Sequence, residues 1–69
     1  MNTHDNLVAM INQIARNFSI SGDDAAATAT AEHLRLFWAP QMRAAVTADD
    51  AGLTSIARAA VRQLGRDGG

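Results

Sequence analysis

The stretch that decides the fold is HLRLFWAPQMR, residues 33–43. It holds the only tryptophan, the only proline, one of two phenylalanines and two of the six arginines of the chain. Much of the rest is alanine, with fifteen in 69 residues. Because large side chains are concentrated here, we expect this segment to build a core, a catalytic site or a docking surface.

Pro40 divides this stretch between two helices. A residue before proline avoids helical angles and proline lacks an N–H group, so the first helix must end before Pro40. The fixed φ of proline suits the first turn of a new helix. The sequence therefore predicts a helix from about 23 to 38, a corner, and a short helix over 40–48.

Helical periodicity also lies on both sides of this corner. Apolar residues recur at spacings of three and four over 5–18 and over 54–64, which predicts two further helices. The expected inward positions are Leu7, Met10, Ile11, Ile14, Phe18, Leu34, Phe37, Trp38, Met42, Ala45, Val46, Ile56, Ala57, Ala60, Val61 and Leu64. No strand pattern appears, so we expect an all-α fold, a small array of three to four short helices.

The helix ends carry recognisable signals. Thr3 or Asp5 is expected to cap the first helix, and Ser21 with Asp24 resembles a capping box for the second. Thr54 follows Leu53 as an expected cap of the last helix. Gly65 is expected to end that helix, and residues 1–69 then form a single helical domain with a frayed tail over 65–69.

Size and composition favour a chain that needs a partner. A domain this small buries only about 60% of its unfolded surface, and the lack of cysteine excludes disulfides and thiolate metal sites. A net charge of −1 argues against nucleic-acid binding. No apolar run suits a membrane span and MNTHDNL is unlike a signal peptide, so we expect a cytoplasmic protein without membrane contact.

No pattern in the sequence indicates catalysis. The serines Ser19, Ser21 and Ser55 lie near predicted helix ends, where capping accounts for them, and neither histidine has an acid placed to form a triad. Glu32 and His33 are adjacent and so diverge on a helix, which does not suit metal binding. We expect no catalytic, metal-binding or cofactor-binding residue in this chain.

Docking is the function that remains for the corner. The candidate partner-binding residues are His33, Phe37, Trp38, Pro40, Met42 and Arg43. Leu34 and Trp38 share one helix face while His33 and Phe37 share an adjacent one, so one face can pack inward and the other can meet a partner. Tryptophan and arginine are enriched among interface hot spots. The alternative, in which the whole cluster is core, stays open.

The corner also resembles a family signature. The pattern His33-Leu34-Arg35-x-Phe37-Trp38-x-Pro40-x-Met42-Arg43 is similar to the approximate HLxxFWDPRMR of the delta subunit of NAD-dependent, molybdenum-containing formate dehydrogenase. Residues 7–14 resemble the MANQI opening of that family, and 52–64 resemble its closing Gly-Leu and helix. Ala39 and Gln41 stand where the family usually has Asp and Arg, which removes a possible charge pair. Thr54-Ser55 replaces its usual Asp-Pro.

The resemblance implies an accessory subunit without a cofactor of its own. Partner subunits are then expected to hold molybdopterin guanine dinucleotide, iron–sulfur clusters and FMN, in a complex that oxidises formate to CO2 and reduces NAD⁺. The chain is expected to dock on the catalytic (alpha) subunit, to meet other subunits, and to support assembly or stability. A transient maturation factor, a small helical DNA-binding regulator and a homodimer of the isolated chain are the alternatives.

Overall fold

The structure, a computed structural model, describes residues 2–67. This part of the chain forms four α-helices and one 3-10 helix, without a strand. The α-helices are α1 (Thr3–Phe18), α2 (Asp23–Phe37), α3 (Pro40–Ala48) and α4 (Ser55–Asp67), and the 3-10 helix Ser19–Ser21 joins α1 to α2. The predicted all-α array is therefore confirmed.

The corner at Pro40 forms as predicted. Trp38 and Ala39 have extended backbones, with φ and ψ of −96° and 141° and of −66° and 150°. The helix α2 ends one residue earlier than predicted, at Phe37, and Pro40 occupies the first turn of α3. The carbonyl of Ala39 accepts hydrogen bonds from the N–H groups of Met42 and Arg43, at 3.0 and 3.2 Å.

Two of the predicted N-terminal caps are wrong. Asn2, with an extended backbone, caps α1 by accepting a hydrogen bond from the Asp5 N–H on its Oδ1 atom at 2.8 Å. Ser21 belongs to the 3-10 helix, so the cap of α2 is Gly22. This helix therefore begins without a side-chain hydrogen bond at its cap. Gly22 has φ of 95° and ψ of 157°, a backbone that essentially only glycine adopts.

The last helix begins as predicted and ends later. The Thr54 hydroxyl accepts a hydrogen bond from the Ala57 N–H at 3.4 Å, which confirms the cap. The prediction that Gly65 ends α4 is wrong, because the helix continues to Asp67. An α-helix tolerates an interior glycine at a cost of about 1 kcal/mol relative to alanine. Residues 65–67 of the predicted frayed tail are thus helical, and 68–69 lie outside the described residues.

The core is made of few large side chains and many alanines. Its buried cluster comprises Leu7, Val8, Ile11, Ala15, Ala31, Leu34, Trp38, Val46, Leu53, Ala57, Ala60, Val61 and Leu64. The predicted inward positions of α3 and α4 are confirmed, with Met42, Ala45 and Ile56 half-buried against this cluster.

The buried face of α1 is rotated from the predicted one. Val8 and Ala15 lie in the core, while Met10 is 43% exposed and Phe18 is half-buried. At 100° per residue, Met10 lies at the edge of the stripe that runs through Leu7 and Val8. Contacts with α2, α3 and α4 select this orientation, and Ala15 permits a close approach that a larger side chain would prevent.

Asn12 joins α1 to the loop between α3 and α4. Its Nδ2 atom donates to the Gly52 carbonyl at 3.0 Å, and its Oδ1 atom accepts from the Thr54 N–H at 2.9 Å. Near the start of the same helix, the His4 Nε2 atom lies 2.8 Å from the Asp49 carbonyl oxygen. A carbonyl oxygen only accepts, so the His4 Nε2 atom donates this hydrogen bond.

Replacing Asn12 with alanine removes both hydrogen bonds of the amide. We expect Asn12→Ala to lower the free energy of unfolding by about 1–2 kcal/mol, because two backbone groups lose their partners. Asn6→Ala is the matched control, since Asn6 is exposed on the same helix and gains the same helix propensity. Urea denaturation followed by circular dichroism measures both, and equal midpoints would contradict the role of Asn12.

Gly52 is constrained by its backbone and by α1. Its φ is 90°, and an added Cβ would lie 3.3 Å from the Val8 Cγ1 atom. We expect Gly52→Ala to destabilise the fold by about 1–3 kcal/mol. Gly22→Ala gives the cost of a positive φ at a second glycine, which has open space around its added Cβ. Thermal unfolding measures both variants, and an unchanged midpoint in Gly52→Ala would contradict the constraint.

Candidate docking surface at the corner

The end of α2 exposes an apolar and aromatic surface. Phe37 is 72% exposed and Leu36 is 66% exposed, while His33 is half-buried. His33 and Phe37 are four residues apart, and their ring centroids lie 4.9 Å apart with the planes tilted by 44°. We call His33, Leu36 and Phe37 the corner patch. Leu36 and Phe37 thus expose apolar surface at adjacent positions, and exposed apolar surface is a feature of interaction sites.

Two of the predicted partner-binding residues pack against the core. Trp38 is 9% exposed and shares the buried cluster with Leu34, which is fully buried. Met42 is half-buried against the same cluster. Leu34 and Trp38 therefore pack inward, while Phe37, on the adjacent helix face, faces outward. The expectation that Phe37 also points inward was wrong.

The other two predicted residues shape the corner. Pro40 is exposed and begins α3. The Arg43 Nη1 atom donates to the Arg35 carbonyl at 2.9 Å, across the corner from α3 to α2. This carbonyl is one of the last four of α2, which lack an amide partner inside the helix. Arg43 thus caps the end of α2 and holds the two helices in a defined relation.

The charged groups beside the patch are paired. The Arg35 Nη1 atom lies 2.6 Å from the Glu32 Oε2 atom, at a spacing of three residues on α2. Both side chains are about half exposed, so this ion pair is worth less than about 1 kcal/mol. The corner therefore presents an apolar centre with a polar edge, which is the usual arrangement of a protein interface.

Within residues 2–67 no group of three or more His, Cys, Asp or Glu side chains lies close enough to hold a metal ion. The Ser19 hydroxyl donates to the Arg16 carbonyl at 2.7 Å, an interaction at the end of α1. No helix in this part of the chain is both long and apolar enough to cross a membrane.

Leu36 is the corner residue that the sequence analysis missed. The buried residues Ala27, Ala31, Leu34 and Trp38 recur at spacings of three and four along α2. Position 36 lies about 200° around the helix from position 34, on the opposite side. A helical projection that places Leu34 and Trp38 inward therefore predicts that Leu36 faces outward. The sequence around it is largely apolar, so this outward position is not evident from composition alone.

The fold and the corner together define a small helical protein with an exposed apolar surface at the end of α2. Comparison with family models goes further: the chain belongs to FdsD, the family of delta subunits of NADH-dependent formate dehydrogenase, with residues 6–61 matched. The matched range includes the corner and most of the four helices. The protein is therefore a subunit of a formate dehydrogenase complex. Neither the comparison with curated proteins nor that with solved structures gives a match.

Truncation of the two adjacent aromatic residues at the corner should change the free energy of unfolding by very different amounts. Trp38→Ala leaves a cavity in the core, and we expect it to cost about 3–5 kcal/mol of unfolding free energy. Phe37→Ala removes an exposed side chain and should change the unfolding free energy by at most about 0.5 kcal/mol. Urea denaturation measures both changes. A large loss in Phe37→Ala would show that this ring stabilises the isolated fold.

Proposed function

We propose that the chain is a non-catalytic accessory subunit of a cytoplasmic NAD-dependent formate dehydrogenase. In this role it docks on the molybdenum catalytic subunit through the corner patch and supports the assembly or stability of that subunit. Membership of the delta-subunit family supports the existence of partner subunits. The observation that carries the docking role is the exposure of Leu36 and Phe37, at 66% and 72%.

Burial of the corner patch supplies enough free energy for a hot spot. Complete burial of a fully exposed leucine or phenylalanine side chain contributes about 1.5–3 kcal/mol. Because Leu36 and Phe37 are 66% and 72% exposed, burial of their remaining surface contributes on the order of 2–4 kcal/mol together. The patch is also preorganised, because Pro40 restricts the backbone and Arg43 ties α3 to the end of α2. A surface that is already ordered loses less entropy when it binds.

The supporting role follows from mass action. A subunit that binds only the folded catalytic chain stabilises that state in proportion to the logarithm of its free concentration over its dissociation constant. In this proposal molybdopterin guanine dinucleotide, iron–sulfur clusters and FMN belong to the partner subunits, and this chain supplies only contacts. Its own small core, with alanine at many buried positions, gains order from the same contact.

The corner patch is tested by co-expression with a tagged catalytic subunit. We expect Phe37→Ala to weaken co-purification by at least about tenfold, the equivalent of 1.4 kcal/mol, because the ring is the largest exposed apolar side chain among the described residues. The matched control is Ile20→Ala, which truncates a 96% exposed apolar residue before the start of α2. Equal recovery of Phe37→Ala and the native chain would exclude the corner patch as the interface.

The same preparations separate a lasting subunit from a maturation factor that binds only the apo catalytic chain. A lasting subunit remains at one-to-one stoichiometry in the active enzyme. A maturation factor is found with cofactor-free catalytic subunit and is absent from active fractions. We expect the first result, because a largely apolar patch favours a long-lived contact over exposure to water.

A further inference from the structure

A second surface lies away from the corner patch, between the start of α2 and the outer face of α4. This open groove has Asp23 and Asp24 on its α2 side and Arg58, Arg62 and Arg66 on its α4 side. None of the three corner-patch residues lines it. The two surfaces therefore lie on different parts of the molecule.

The arginines form a row with a regular spacing. They are four residues apart, so they lie on one face of α4 and succeed one another by about 6 Å along its axis. Like charges at this spacing weaken a helix by a few tenths of a kcal/mol. Arg66 lies in the last turn, where the helix dipole favours a positive charge, but this argument does not extend to Arg62.

Most of this positive charge is not neutralised within the fold. Arg58 has an ion-pair partner, with its Nε atom 3.5 Å from the Asp50 Oδ2 atom. This Nε atom is buried and makes no hydrogen bond of good geometry. Arg62 and Arg66 are exposed, and neither forms an ion pair or a side-chain hydrogen bond with the described residues. The two walls of the groove also form no ion pair with each other in this part of the chain.

We propose that this groove is a second docking surface, which binds an acidic segment of a partner subunit along the arginine row. The inference rests on the proposed function, because it assumes that the chain is held in a complex. A guanidinium group pairs with a carboxylate through two parallel hydrogen bonds. A partner helix with acidic residues four positions apart repeats its carboxylates at about 6 Å, the spacing of Arg62 and Arg66.

The opposite wall determines which class of anion fits. Asp23 and Asp24 repel the continuous phosphate backbone of a nucleic acid, and the net charge of the chain is −1. A peptide segment can place carboxylates against α4 and polar or basic groups against α2. The groove therefore favours a peptide that has carboxylates on one side and polar or basic groups on the other, over a polyphosphate.

The two docking surfaces should differ in their response to salt. Pairs between exposed charges act mainly on the association rate and weaken as ionic strength rises, since the Debye length is about 10 Å at 0.1 M. Burial of the apolar corner patch is not weakened in this way. Salt dependence of binding thus reports on the groove, and truncation of Phe37 reports on the corner patch.

The test measures binding of the full chain to the purified catalytic subunit at ionic strengths of about 0.05 and 0.3 M. We expect Arg62→Glu to slow association by roughly tenfold at the lower ionic strength and to reduce the salt dependence. Arg16→Glu is the matched control, because it makes the same charge change at an exposed arginine of α1. Circular dichroism establishes that both variants are folded.

Each outcome of this test has a defined meaning. Association of Arg62→Glu at the native rate, or an equal loss in Arg16→Glu, would overturn the groove as a specific surface. Retention of the native chain on duplex DNA or RNA, lost in Arg62→Glu, would also overturn it. Weaker binding of Arg62→Glu with native binding of Phe37→Ala would exclude the corner patch and support the groove. Weaker binding of Phe37→Ala with native binding of Arg62→Glu would exclude the groove and support the corner patch. A native chain that binds no subunit would remove both proposals.

Discussion

The packing of α2 against α4 is the constraint on which the rest of the structure depends. These two helices make the most extensive helix–helix contact, and the side chains that they bury are largely alanine. Ala26, Ala57 and Ala60 are fully buried, and the buried Thr30 donates its hydroxyl to the Ala26 carbonyl at 2.7 Å. Small side chains allow close approach but bury little apolar area, so the few large residues must fill the remaining interior.

This demand explains why neighbouring residues at the corner have different roles. Leu34 and Trp38 are required by the core, while Pro40 and Arg43 set the direction in which the chain leaves α2. Phe37 is then left outside, with 72% of its surface exposed. The family signature is thus a mixture of core, corner and surface positions, and its presence alone does not define a binding site.

The proposed surfaces assign different physical tasks to different parts of a very small protein. The corner patch offers apolar area on a rigid support. The groove along α4 offers the positive charge of Arg62 and Arg66, which form no ion pair with the described residues. Apolar burial mainly sets how long a complex lasts, whereas exposed charge mainly sets how fast and in which orientation it forms. A chain of 69 residues with a sparse core can hold a larger partner if these tasks are divided in this way.

The sequence by itself determined the helices, the corner at Pro40, the Thr54 cap and the inward face of α4, because periodicity and capping depend on residues within about four positions. Only the tertiary structure decided that Met10 and Phe37 lie outside, and that Asn12 bonds to residues about forty positions away in the chain. These outcomes depend on which helix lies opposite and how closely it approaches. That information is held by the packing of residues distant in sequence, and local pattern does not contain it.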